Sequence, residues 1–178
     1  MADERPRTPL KPLDDTDRGL LAELTSDGRA SMRGLAERLH ISRANAYARV
    51  ERLLREQVIR GFGARIDPER AGLRTSAYVT CSIEQNAWRE VSARLREIRY
   101  VEHVALVGAE IDVVALVRTP DNAALRRVVL EEIQAIPGVE STRTWLIFAE
   151  VDGRGPQWAE PQWAEPGIAD AGAAASIS

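Results

Sequence analysis

The chain has 178 residues, 44% of them hydrophobic, and a formal net charge of −3, so it can build one domain or two small ones and is not a uniformly basic nucleic-acid coat. Its opening, MADERPRTPLKP, lacks the apolar core of a secretory signal, and no apolar run approaches the roughly 18 residues a membrane span needs, so we expect a cytoplasmic protein. The single cysteine, Cys81, rules out an intramolecular disulfide, and with only His40 and His103 beside it no zinc-ligand spacing can be drawn.

Residues 1–12 read as a flexible arm, and residues 13–60 as a unit of three short helices. The first helix, near Asp15 to Leu24, places Leu20, Leu21 and Leu24 on one side, and the glycine of SDGR stops it. The second starts after a candidate N-cap, Ser31, and buries Leu35, Ala36 and Leu39. Ser42 is the N-cap candidate of the third helix, which carries Ala46, Val50, Leu53 and Leu54 on one stripe. On a helical wheel the opposite side holds Ala44, Asn45, Ala48, Arg49, Arg52 and Arg55.

Charge is unevenly spread along the chain. Residues 31–65 hold eight arginines and three glutamates, which leaves the remainder strongly acidic and points to one region that meets a polyanion. Two short helices joined by a tight turn, the second with a basic outer face and small residues in its first turns, form the helix-turn-helix pattern. An ordinary solvated charged face is the competing explanation. On the first reading Ser42, Arg43, Ala44, Asn45, Arg49 and Arg52 are the candidate DNA contacts. Arg43, Asn45 and Arg49 are expected at base edges and Arg52 at phosphates. Internal pairing of Arg49 with Glu51 or Glu56 is disfavoured, because neither lies three or four residues from it.

From Gly61 the pattern changes. Residues 61–75 read as a linker with a hinge strand at Phe62 to Ile66. Residues 76–151 then alternate: strand Ala77–Ile83, helix Trp88–Ile98, strands Val101–Val107 and Ile111–Val117, helix Asn122–Ile136, and strand Ser141–Val151. This βαββαβ order predicts a ferredoxin-like antiparallel sheet with both helices on one face. The other face then needs cover, for which a partner subunit is the expected source. Cys81, inside the first of these strands, is expected to be quiet and partly buried. Residues 152–178, with their PQWAE repeat, read as a disordered tail, and the repeat is either a docking element or a duplication without function.

Three stretches, LDDTDRGLLAELTSDGRAS, LAERLHISRANAYARVERLLREQVIRGFGARIDPERAGL and IPGVESTRTWLIFAEV, resemble in order and spacing the Lrp/AsnC, or feast/famine, family of transcription factors. The resemblance runs from about Leu13 to Val151. It implies an α+β fold with a winged-type helix-turn-helix domain ahead of the ferredoxin-like domain. It also implies a homodimer assembling towards an octamer, a palindromic operator in double-stranded DNA, and an amino-acid or small-metabolite effector. The implied effector loop covers Gly108, Ala109, Glu110, Ile111 and Asp112. Here the family's Gly-x-aromatic-Asp signature is altered: Ala109 stands at the glycine, Ile111 at the aromatic position, and Asp112 is retained.

Two other classes remain open. An architectural DNA-binding protein would need no effector. A small ferredoxin-like enzyme would need an acid/base pair, and His103 is the sole histidine of that domain, without a recognisable orienting partner, so no enzymatic activity is expected.

Overall fold

The computed structural model describes residues 12–108, 111–151 and 153. Contacts divide the chain into two compact units between Ala64 and Arg65.

The first unit consists of three helices, α1 (Asp15–Ser26), α2 (Met32–Arg38) and α3 (Arg43–Arg55). Each begins where a short polar side chain can accept an orphan backbone N–H. Asp14 accepts from the Asp17 amide at 2.9 Å while the Asp17 carboxylate accepts from the Asp14 amide at 3.2 Å, a reciprocal cap at the start of α1. Ser31 and Ser42 cap α2 and α3 by accepting from Gly34 and Asn45, each at 3.1 Å. Leu20, Leu21, Leu24, Leu35, Val50, Leu53 and Ile59 form the core of this unit. The three helices therefore pack as the apolar spacing predicts.

No strand forms at Phe62–Ile66 among the described residues. The residue types suit a strand, but a strand needs a neighbouring edge for its backbone groups, and Phe62 and Ile66 are both exposed. Past this segment, Asp67 closes a turn by accepting from the Arg70 and Ala71 amides.

The second unit carries β1 (Thr75–Ile83), α4 (Trp88–Glu97), β2 (Val101–Leu106), β3 (Val113–Thr119), α5 (Asn122–Arg127) and β4 (Val139–Ile147). The sheet is antiparallel throughout, in the order β2-β3-β1-β4, as the βαββαβ reading expects. α5 continues through Val128–Ile133 as a wider, π-type coil, closed by the Gln134 amide donating to the Val129 carbonyl at 3.0 Å. Ala77, Val79 and Cys81 of β1 and Val113, Ala115 and Val117 of β3 alternate onto one face. There they meet Val91 and Leu95 of α4 and Leu125, Val128, Val129 and Ile133 of the last helical segment.

Strand ends differ from the expected ones for identifiable reasons. β3 starts at Val113 because Asp112 is engaged in turn contacts: its carboxylate accepts from the Ile83 amide at 2.9 Å and its own amide donates to the Cys81 carbonyl at 3.1 Å. β4 stops at Ile147 because that residue pairs with Ser76, at the start of β1, and no partner strand lies beyond. Glu150, just after β4, is instead tied to Arg118, which donates to it at 2.6 Å and to Ser76 at 2.9 Å, and also binds Glu102. The tail with its PQWAE repeat lies outside the described residues, as does nearly all of the N-terminal arm.

The sheet face away from the helices carries a row across three strands, with Tyr78 opposite both Leu116 and Trp145. Tyr78 and Trp145 are 44% and 56% exposed, which leaves substantial apolar area facing solvent in the single chain.

Gly138 governs the entry to β4. Its φ of 88° lies in the left-handed region, and a Cβ there would stand 2.7 Å from the Ala87 Cβ. Gly138→Ala combines backbone strain with a clash against backbone-fixed atoms, so we expect a loss of at least about 2 kcal/mol of stability by urea denaturation. A variant as stable as the parent would contradict this account of the turn.

Candidate nucleic-acid interface

The end of α2, the turn at His40, which has a left-handed φ of 52°, and α3 make the helix-turn-helix element. Ser42, Arg43, Ala44, Asn45, Tyr47, Ala48, Glu51 and Arg55 are exposed on α3. Ala46, Val50 and Leu53 face the core.

The candidate contacts separate into two groups. Ser42, Arg43, Ala44 and Asn45 lie together on the exposed first turn, as expected. Arg49 and Arg52 do not join them. The Arg49 Nη1 donates to Asp14 at 2.7 Å and to Asp17 at 2.8 Å, and its Nε donates to the Asn45 side-chain oxygen at 2.8 Å. The Arg52 Nη2 donates to the other Asp17 oxygen at 2.5 Å, and its Nη1 to Glu56 at 3.1 Å. The two arginine side chains retain only 23% and 16% exposure, and Asp17 has none. Neither Glu51 nor Glu56 holds Arg49, as the spacing led us to expect, but the expected place of Arg49 at base edges is corrected: its guanidinium is paired with carboxylates at the start of α1, 35 and 32 residues away.

Asp17 is the functional residue that sequence reasoning missed as such. Its signal was present: it sits three and four residues before Leu20 and Leu21, on the apolar stripe of α1. A carboxylate on a buried stripe must find cations or backbone donors, because an unpaired buried charge is costly. Burial pushes the Asp17 pKa up, but hydrogen bonds from Arg52 and Arg49 outweigh it and hold the group below the ordinary carboxylate range. The Arg49 guanidinium holds Asp14 down to about 2, helped by the Asp17 amide.

Pairing narrows the positive surface. Arg33 is bound to Glu37 at 2.8 Å and Arg38 to Glu23 at 2.5 Å. Among the described residues of α3, Arg43 and Arg55 have no carboxylate partner. Arg43 instead lies over the Tyr47 ring, 5.8 Å from its centroid.

In the second unit, Gly108 is exposed, Ile111 and Asp112 are half-buried, and Ala109 and Glu110 fall outside the described residues. Asp112 spends one carboxylate oxygen on Ile83. It therefore has a structural task in joining the β2–β3 turn to the end of β1. His103 lies exposed on β2. Cys81 is fully buried, and burial pushes its thiol up to about 11, so it is a weak nucleophile at neutral pH. No group of three His, Cys, Asp or Glu side chains among the described residues could hold a metal ion. No described helix is long and apolar enough to cross a membrane.

Asp17→Ala leaves two guanidinium groups without their shared anion, so a loss of about 3–5 kcal/mol is expected by chemical denaturation. The network also sets an acid limit. Both aspartates have folded pKa values below their unfolded ones, so their contribution is complete above about pH 5 and fades as pH falls towards the Asp14 value of about 2. An acid titration of stability in which Asp14→Asn follows the same curve as the parent between those limits would refute the assignment.

Two family models match the chain: one for winged helix-turn-helix DNA-binding over residues 13–60, and one for the Lrp/AsnC ligand binding domain over residues 76–156. The leucine-responsive regulatory protein of Salmonella typhimurium is 31% identical over 85% of this chain and 93% of its own. An uncharacterized HTH-type transcriptional regulator of Pyrococcus abyssi is 34% identical over 76% of this chain and 85% of its own. Among solved structures, a feast or famine regulatory protein of Mycobacterium tuberculosis complexed with L-methionine matches with a TM-score of 0.75 at 35% identity, covering 82% of this chain and 98% of that one. Helix-turn-helix unit, four-stranded ferredoxin-like unit and full-length relatives agree, and the chain belongs to the Lrp/AsnC family of DNA-binding transcriptional regulators.

Proposed function

We propose that a cytoplasmic homodimer of this chain binds a roughly palindromic duplex site through paired copies of α3. The observation that carries this reading is the exposed first half of α3. There Arg43, Asn45 and Tyr47 alternate with Ala44 and Ala48, so polar groups project while the small residues let the backbone approach the groove floor. Ser42, Arg43, Ala44 and Asn45 face the duplex. Arg49 and Arg52 act through position, by fixing α3 against α1. Residues 13–60 form the DNA-binding domain, 61–75 the linker, and 76–151 the assembly and effector domain. The half-exposed row of Tyr78, Leu116 and Trp145 supports dimerisation through the open sheet face, and dimers then assemble towards an octamer.

An amino acid is the proposed effector, at the loop Gly108–Asp112. The M. tuberculosis relative was solved with L-methionine, and Asp112 keeps one carboxylate oxygen without a bond in the described structure. Effector action would follow from unequal affinity for two assembly states. A second reading, an architectural protein without effector, is favoured by the altered loop signature, with Ala109 and Ile111, and by the structural task of Asp112.

Binding titrations on specific and random duplexes at several salt concentrations test the DNA reading. Arg55→Ala, at an exposed cation, should weaken all sequences alike, flatten the salt dependence by about one charge and leave the melting temperature unchanged. Arg52→Ala should lower the melting temperature as well as the affinity. Equal thermal stability of the Arg52→Ala protein and its parent would return that residue to the duplex surface.

For the second unit, Trp145→Glu should convert the particle to monomers in light scattering, since a charge on the covered face is costly. A thermal-shift screen over the twenty amino acids should reveal a stabilising ligand, and no shift with any of them supports the architectural reading.

A further inference from the structure

Arg43 occupies a place where it serves the fold poorly. It is the first residue of α3, so its cation sits at the positive end of the helix dipole. It is exposed and has no carboxylate partner among the described residues. Its one recorded contact is the ring of Tyr47, one turn further on, itself 46% exposed. An exposed tyrosine contributes little to the core, and a cation at a helix start is locally unfavourable, so neither residue is explained by stability.

Together they make a device. A guanidinium held over a ring by its charge, here with its carbon 5.8 Å from the ring centroid, keeps its N–H donors available for bonding. Those donors, a rigid fork, match the O6 and N7 acceptors of guanine in the major groove. The ring contact also restricts the rotamers of a long side chain, so less freedom is lost on contact. Ala44 and Ala48 flank the pair on the same exposed side of α3 and allow close approach. Arg49 and Arg52 cannot substitute, because their guanidinium groups are bound to Asp14, Asp17 and Glu56.

We propose that Arg43, held by the Tyr47 ring, reads one guanine in each half-site, with Tyr47 as the positioning residue. This rests on the DNA-binding reading above and adds to it a base identity and the pair of residues that selects it. The fork requirement means that lysine does not replace Arg43, whereas phenylalanine, which keeps the ring, does replace Tyr47.

The test is selection of bound duplexes from a randomised pool by the full-length protein and its Arg43→Ala, Arg43→Lys, Tyr47→Phe and Tyr47→Ala variants, followed by titrations on the selected site. The parent should enrich a guanine once per half-site, related by the symmetry of the site. Arg43→Ala should erase that preference alone, with the other positions kept, at a cost of about ten-fold or more on the selected site. Arg43→Lys should lose most of the preference, and Tyr47→Phe should keep it. Tyr47→Ala should reduce it several-fold while the preferences at the other positions of the site are kept, and the retention of the preference in Tyr47→Phe separates loss of the ring from loss of the hydroxyl, a pattern that misfolding would not give. Survival of the guanine preference in Arg43→Ala overturns the proposal, and an unchanged preference in Tyr47→Ala overturns the role of the ring. A parent that binds duplex with the usual salt dependence but selects no guanine also overturns it while leaving DNA binding intact. A parent that binds no duplex at all removes both readings.

Discussion

Both oxygens of the Asp17 carboxylate are engaged: one takes Arg49, the other takes Arg52 and the Asp14 amide. Its environment is the apolar junction of α1 and α3, where Leu20 and Leu53 are fully buried. Apolar contact between two helices resists separation but is non-directional, whereas hydrogen bonds have preferred angles and lengths. The charged network thus fixes how far α3 is turned about its own axis. That rotation decides which side chains point outward, so the identity of the exposed face depends on a group that never reaches the surface. A buried ion cluster of this kind is weak evidence for net stability, since desolvation opposes it, but strong evidence for a defined arrangement, because losing one member strands the others.

The second unit solves a different problem. One face of its sheet is sealed by α4 and the last helical segment, and the close approach at Gly138 lets the start of β4 lie against the N-terminal end of α4. The other face is left with aromatic and aliphatic side chains in a row, flanked by polar residues such as Thr80 and Arg143. In the single chain the helical layer covers one face of the four-stranded sheet, and the other faces solvent. Each unit encloses a core of its own.

The fold was largely legible because its elements announce themselves locally. Period-3.6 stripes such as Val91 and Leu95, the serine caps at Ser31 and Ser42, and strict alternation at Ala77, Val79 and Cys81 all depend on neighbours in sequence. What escaped depends on distant residues. The strand expected at Phe62–Ile66 has strand-like residues and no edge to pair with in a single chain. Arg49 looked like part of an exposed basic face on a wheel, because a wheel shows one helix and omits the carboxylates another brings to it. The backbone partner of Asp112 at Ile83, 29 residues earlier, has no signal in the local sequence. Tyr47 was placed on neither the apolar stripe nor the basic face, and it lies exposed.

Cys81 lies near the C-terminal end of β1, paired with Val113, the first residue of β3, on one side and Thr142 on the other, with the helical layer over it. It is also the chain's only thiol. A reagent reaches it only when this end of the sheet or the helical layer over it opens. Its alkylation rate is therefore a clock that counts openings of this end of the sheet. In the folded state the same seclusion makes the protein silent to maleimides, so a cysteine introduced anywhere on the surface carries a dye or spin label alone, without removal of the native one.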